Sequence, residues 1–195
     1  MKRRVLLMLC LLAGCAGSPS THFYTLDPVS APASALTANP TQSHRLIVVG
    51  QVQLPPALDR LSVVTRSGPD QLAISDENRW AAPLDDIVRH TLSADLAARM
   101  PPGRVLAPGD PVPASGARSL IVDVQDFLPD ERHVTLNARW TLLDGTPPRP
   151  VLTRREMIDI TAASPTTAAE IAAMSRALGA LADRIAAQLA TAVSP

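Results

Sequence analysis

The chain has 195 residues, with 18 basic and 18 acidic side chains, 46% hydrophobic residues and 3% aromatic ones. Its length gives material for one domain with a sizeable core, and its charge offers no footprint for nucleic acid. The two cysteines, Cys10 and Cys15, both lie at the extreme N-terminus, so the rest of the chain is expected to be held by burial and not by disulfides.

The start is charged (Lys2, Arg3, Arg4), an apolar run extends from Val5 to Leu12, and Leu12-Ala13-Gly14-Cys15 comes next. This reads as a lipobox: Leu at the third position before cleavage, small residues at the next two, and a thiol that takes a diacylglycerol. The rival reading is an ordinary secretory cleavage after small residues, which would release a soluble periplasmic protein. The run is far shorter than the roughly 20 apolar residues that cross a bilayer. The expected organisation is a signal peptide over 1–14, a tether over 15–21, and a domain over 22–195 with a low-complexity loop at 29–43. Removing Lys2, Arg3 and Arg4 leaves 15 basic against 18 acidic residues, so the mature chain is mildly acidic.

His22-Phe23-Tyr24-Thr25-Leu26 has strand character and Asp27-Pro28 stops it. Val29 to Ser43, rich in Ala, Pro, Ser and Thr, predicts a solvated, mobile loop. Arg45 to Leu54 returns to strand, with Leu46, Val48, Val52 and Leu54 on one face while Ile47 and Val49 make the first half apolar on both, and Pro55-Pro56 ends it. Leu61–Arg66 and Gln71–Ser75 flank the turn Ser67-Gly68-Pro69-Asp70, a short-stranded hairpin. Between Trp80 and Met100 the period becomes helical through Leu84, Ile87, Val88, Thr91, Leu92 and Leu96. Pro83, Asp85 and Asp86 suit the start of that helix, and Pro101-Pro102-Gly103 closes it.

The strongest strand signal comes next. Leu120, Val122 and Val124 alternate with Ile121, Asp123 and Gln125. After the Pro129-Asp130-Glu131 turn, Val134, Leu136, Ala138, Trp140 and Leu142 alternate with polar residues. One face is buried and the other wet, as in antiparallel strands covered on one side. A third strand, Val151 to Ile160, comes after the Asp144-Gly145 turn, and Arg154 and Glu156 mark it as an edge. A final helix opens with Ser164 as N-cap and Pro165 at its first position. It carries a stripe of Ile171, Met174, Leu178, Leu181, Ile185 and Leu189, best explained by packing on the sheet. Gly179 costs this helix about 1 kcal/mol relative to Ala, in exchange for close approach to the sheet. The implied fold class is α+β: a single mixed, largely antiparallel sheet with two long helices packed on one face.

No catalytic constellation stands out: there is no Gly-x-Ser-x-Gly elbow, phosphate loop or His-Glu-x-x-His helix. His22, His44, His90 and His133 are scattered singly, Asp85 and Asp86 diverge by about 100° around their helix, and Arg60, Arg66 and Arg79 read as isolated surface charges. Trp140, on the apolar face of its strand, reads as core, and Trp80 as packing beside the helix it introduces. The expected site set therefore contains the lipidation site Cys15 and the lipobox residues Leu12, Ala13 and Gly14. No catalytic, cofactor-binding or metal residue is expected, the covalent lipid on Cys15 apart.

The lipobox with Phe23-Tyr24-Thr25-Leu26 after it, Leu54-Pro55 with Leu58-Asp59-Arg60, Val64-Thr65-Arg66, Trp80 with Pro83-Leu84, and Ala138-Arg139-Trp140 resembles the PqiC-type (YmbA-like, DUF330) auxiliary lipoproteins. The likeness rests on the order and spacing of these short motifs through nearly the whole mature chain. The resemblance implies a non-enzymatic docking subunit of an MCE-type system moving lipids between the two membranes of Gram-negative bacteria and maintaining envelope integrity. It implies a lipid anchor in the outer membrane, a periplasmic face, an MCE-domain (PqiB-like) protein partner and no nucleic acid, and it is compatible with a homo-oligomer. Ala16, where Asp would signal inner-membrane retention, agrees with outer-membrane sorting. The alternatives are an assembly lipoprotein of another envelope complex and a lipid-binding carrier.

Overall fold

The computed structural model describes residues 20–31, 45–114 and 116–192. Its centre is β8 (His133–Asp144), where Val134, Leu136, Ala138, Trp140 and Leu142 alternate inward and are all buried. On one side β8 pairs antiparallel with β9 (Arg149–Thr161), from His133↔Thr161 to Asp144↔Arg149. On the other it pairs antiparallel first with β7 (Pro129–Asp130) and then with β6 (Arg118–Asp126).

Because β6 and β7 share one flank of β8, the sheet branches there. Beyond β6 lie β2 (Ile47–Gln53) and β5 (Val105–Leu106), all parallel. Beyond β7 lie β3 (Ser62–Gly68), met in parallel at Arg66↔Asp130, and its antiparallel hairpin partner β4 (Gln71–Trp80). The three-residue β1 (His22–Tyr24) joins β4 in parallel.

Two helices, α1 (Leu84–Arg99) and α2 (Thr167–Ala192), pack on the sheet and on each other. The six residues of the expected α2 stripe are all buried. Four apolar side chains per two turns, each worth about 1.5–3 kcal/mol on burial, are what hold such a helix to a sheet. The opposite face of the sheet carries Thr135, Arg139, Thr141, Thr153 and Asp159 in cross-strand pairs.

Several expectations are corrected. On β2 the inward residues are Ile47, Val49 and Val52; of the expected face only Val52 is buried, while Leu46, Val48 and Leu54 are half-buried, because a bulge between Val49 and Val52 shifts the alternation. The hairpin strands are longer than expected, β4 running on to Trp80. The α2 cap is Thr166, whose Oγ1 accepts the Ala169 N–H at 3.4 Å, and not Ser164. Gly179 makes room for the N-terminal segment and not for the sheet: a Cβ there would meet Val29 Cβ at 2.9 Å. Val29 itself is half-buried and held by side chains, so the solvated-loop expectation fails at its first residue, while 32–44 lie outside the described residues.

Candidate functional site

Cys15, Leu12, Ala13 and Gly14 lie outside the described residues. From residue 20 the chain runs into β1, and the segment after it is held by side chains of both helices. From β1 the segment Leu26–Val29 passes between the helices. Leu26 is buried and its carbonyl accepts from Thr91 Oγ1 at 2.9 Å. The Asp27 N–H donates to Ser175 Oγ at 3.1 Å. The Val29 N–H donates to Asp95 Oδ1 at 2.7 Å and its carbonyl accepts from Arg99 Nη1 at 3.1 Å.

Arg99 ties the helices together, bonding Asp95 Oδ1 at 3.2 Å on its own helix and Asp183 Oδ1 at 2.6 Å on α2. Desolvation is the largest influence on Asp95 and raises its pKa above 3.8, against the Val29 N–H and the Arg99 charge. Its Oδ2 has no partner among the described residues. Asp95 and Arg99 continue the buried track of α1 set by Val88 and Thr91. A carboxylate and a guanidinium four apart on an apolar stripe were the signal available for this clasp.

The sequence motifs converge elsewhere. Leu54-Pro55, Leu58-Asp59 and Leu84, far apart in the chain, line one cleft of about 620 Å³ at the end of β2. Gln51, Gln53, Asp85 and Asp123 complete its polar rim. A smaller space of about 300 Å³ prolongs it between Gly50, Gln51 and Val52 on β2 and Asp85 and Arg89 on α1. Gly50 sits in the bulge because β2 runs very close to β6 there: a Cβ would lie 2.6 Å from Ser119 Oγ. Asp86 is bonded to Arg89 at 2.8 Å, whereas Asp59 and Asp85 are exposed and enter no ion pair among the described residues.

The other residues singled out in the sequence do not gather. Trp80 and Trp140 are buried core. Arg66 is not isolated but faces Asp126 and Asp130 at 3.4 and 3.9 Å. His22, His90 and His133 are exposed singly, and His44 lies outside the described residues. Among the described residues no three His, Cys, Asp or Glu converge as metal ligands, and no helix is long and apolar enough to cross a membrane.

The family described as the ABC-type transport auxiliary lipoprotein component matches residues 24–186, from β1 almost to the end of α2. The chain belongs to this family. Over 117 residues it is 36% identical to the Intermembrane transport lipoprotein PqiC of Escherichia coli (strain K12) and to the Shigella flexneri protein of that name. The aligned part is 60% of this chain and 59% of each relative, so the chain spans well under two thirds of the curated relatives it matches. Among solved structures, an uncharacterized protein superposes with a TM-score of 0.72 at 22% identity, covering 87% of this chain and 99% of the other. A DUF330 protein of Xanthomonas campestris gives 0.69 at 19% identity, over 88% and 96%. These two likenesses show that the fold is shared with both structures.

Proposed function

We propose that this chain is a non-enzymatic docking subunit, anchored by lipid on Cys15 to the periplasmic face of the outer membrane, of an MCE-type system that moves lipids between membranes and maintains envelope integrity. The observation that carries this reading is a lipobox, Leu12 to Cys15, placed just ahead of a transport auxiliary lipoprotein domain matched from residue 24. The relative's name, an intermembrane transport lipoprotein, supports the transport role. Ala16, with no Asp after the cysteine, supports sorting to the outer membrane.

The geometry suits the role. A seven-residue tether from Cys15 to Thr21 reaches at most about 25 Å when fully extended, so the domain stays at the bilayer surface. Two or three acyl chains make such an anchor durable where one is marginal. The tether runs into the edge strand β1, and directly behind it the clasp formed by Thr91, Asp95, Arg99 and Ser175 ties the chain to both helices. Confinement at the surface raises the local concentration towards a transporter to roughly millimolar, and a weak contact then suffices.

The test is fractionation and co-purification from Gram-negative cells. The full chain is expected in the outer-membrane fraction, bringing down an MCE-domain protein from detergent-solubilised envelopes, and Cys15→Ser is expected to remove it from that fraction and to leave it unlabelled by a fatty-acid probe. Recovery of partners that repeatedly lack MCE domains would end the transport assignment, and inner-membrane recovery of the wild type would end the sorting assignment.

A further inference from the structure

We propose that the groove between the free edge of β2 and the first turns of α1 receives an extended, positively charged segment of a protein partner, which adds to β2 as a short strand. This rests on the reading of the chain as a docking subunit and names the surface and the chemistry it would use.

The free edge is the first observation. On the side away from β6, β5 covers only Ile47 and Val48. Among the described residues no strand lies beside Gly50–Gln53, and the space there is open, about 300 Å³ continuing into the 620 Å³ cleft through the shared Gln51, Val52 and Asp85. Strand addition supplies affinity through main-chain hydrogen bonds at such an edge. Pro55 and Pro56, which have no N–H, end the stretch able to pair. The added strand is therefore limited to about four residues.

Charge is the second observation, and it selects the occupant. The larger cleft is lined by Asp59, Asp85 and Asp123 with no Arg, Lys or His among its walls. Asp123 is already paired with Arg139, and the one cation at the narrow end, Arg89, is paired with Asp86. Asp59 and Asp85 thus face the groove outside any ion pair among the described residues, which favours Lys or Arg side chains and repels lipid phosphate. The Leu54 and Pro55 walls receive the aliphatic stems of such residues.

The experiment places a benzophenone amino acid at Gln53 of the full, lipidated chain in living cells, with a second probe at Thr135 on the wet sheet face as control, and maps cross-linked peptides by mass spectrometry. The expected product joins Gln53 to a segment of another protein carrying net positive charge. Its yield is expected to fall about tenfold in the Asp59→Asn, Asp85→Asn double variant and in Asp59→Lys alone, a change confined to a loop, with melting temperatures measured alongside. Cross-links to lipid, to a second copy of this chain, or to a neutral or acidic segment would overturn the proposal, as would a yield indifferent to the charge changes. If a transport partner co-purifies while Gln53 stays unlinked, the docking role stands and the groove is wrong. If no partner co-purifies with the wild type, the docking role itself has failed and takes the groove with it.

Discussion

Two borders of the sheet, β9 and the β2 side, are treated in opposite ways. β9 is a thirteen-residue edge strand, long enough to recruit another chain, yet its outward carbonyls are occupied by arginines. Arg154 donates to the Thr153 carbonyl at 2.8 Å, Arg184 to that of Met157 at 3.0 Å, and Arg176 to that of Thr161 at 2.9 Å. The two arginines on α2 are eight residues apart, about 12 Å of helix, and their acceptors are four residues apart, about 13 Å of strand, so helix and edge keep step. β2 has no such guard along Gly50–Gln53 and borders a cleft where Asp59 and Asp85 stand outside any ion pair among the described residues. The contrast teaches that an edge strand alone does not mark a docking surface. What marks this one is an open edge that runs beside a cleft lined by carboxylates.

The largest expected effect tests whether α2 is the guard. Leu181 is fully buried on the inward stripe of α2, and Leu181→Ala is expected to cost about 2–5 kcal/mol in chemical denaturation. Amide exchange should speed up along β9 more than along β2, and equal acceleration would remove the distinction between the borders. Next comes Arg184→Met. It strips the 2.9 Å partner from the buried Glu156 and uncovers the Met157 carbonyl. A loss of about 1–3 kcal/mol is expected, with increased self-association by light scattering, and Glu156→Gln in the same chain should recover part of the stability.

On the open border, Gly50→Ala forces a Cβ towards Ser119 Oγ and is expected to cost about 1–2 kcal/mol. The same change in a Ser119→Ala background should cost measurably less, and additivity of the two would mean that the bulge, not the close approach, requires glycine.

The smallest effects are pH-dependent and of opposite sign. Burial raises the Asp95 carboxyl above 3.8, so its contribution is fully present below that pH and is lost as pH rises through the raised value. Asp144 is also pushed up by desolvation, but Arg118 and Arg45 outweigh this and lower it below 3.8. Its contribution is present above 3.8 and disappears as pH falls through the depressed value. Asp95→Asn should flatten the stability profile above pH 3.8 and Asp144→Asn below it. Profiles that shift the other way would contradict the environments described for both groups.

Much of the fold was legible in the residues and some was not, for physical reasons. Strict alternation in β6 and β8 and the Ile171–Leu189 stripe placed the core because one-sided burial leaves a strong period. The inward set of β2 was misjudged because a bulge inserts a residue without any marker except Gly50. β5 and β7, two residues each, are too short for any period. The α2 cap moved because Ser164 and Thr166 both offer a hydroxyl, which bond to each other at 3.0 Å, and only Thr166 reaches a helical N–H. Arg154 and Glu156 correctly marked an edge, but that Gln188 and Arg184 engage them depends on how α2 crosses β9. The cleft was hidden in plain view: its motif residues were recognisable one by one, and only the branching of the sheet brings them together.

Everything functional depends on the anchor. Mass spectrometry of the N-terminal peptide from the protein purified out of native envelopes tests it most directly. The account predicts a chain that begins at Cys15 with its sulfur carrying diacylglycerol. A mature N-terminus at any other residue, or an unmodified Cys15 thiol, would contradict it.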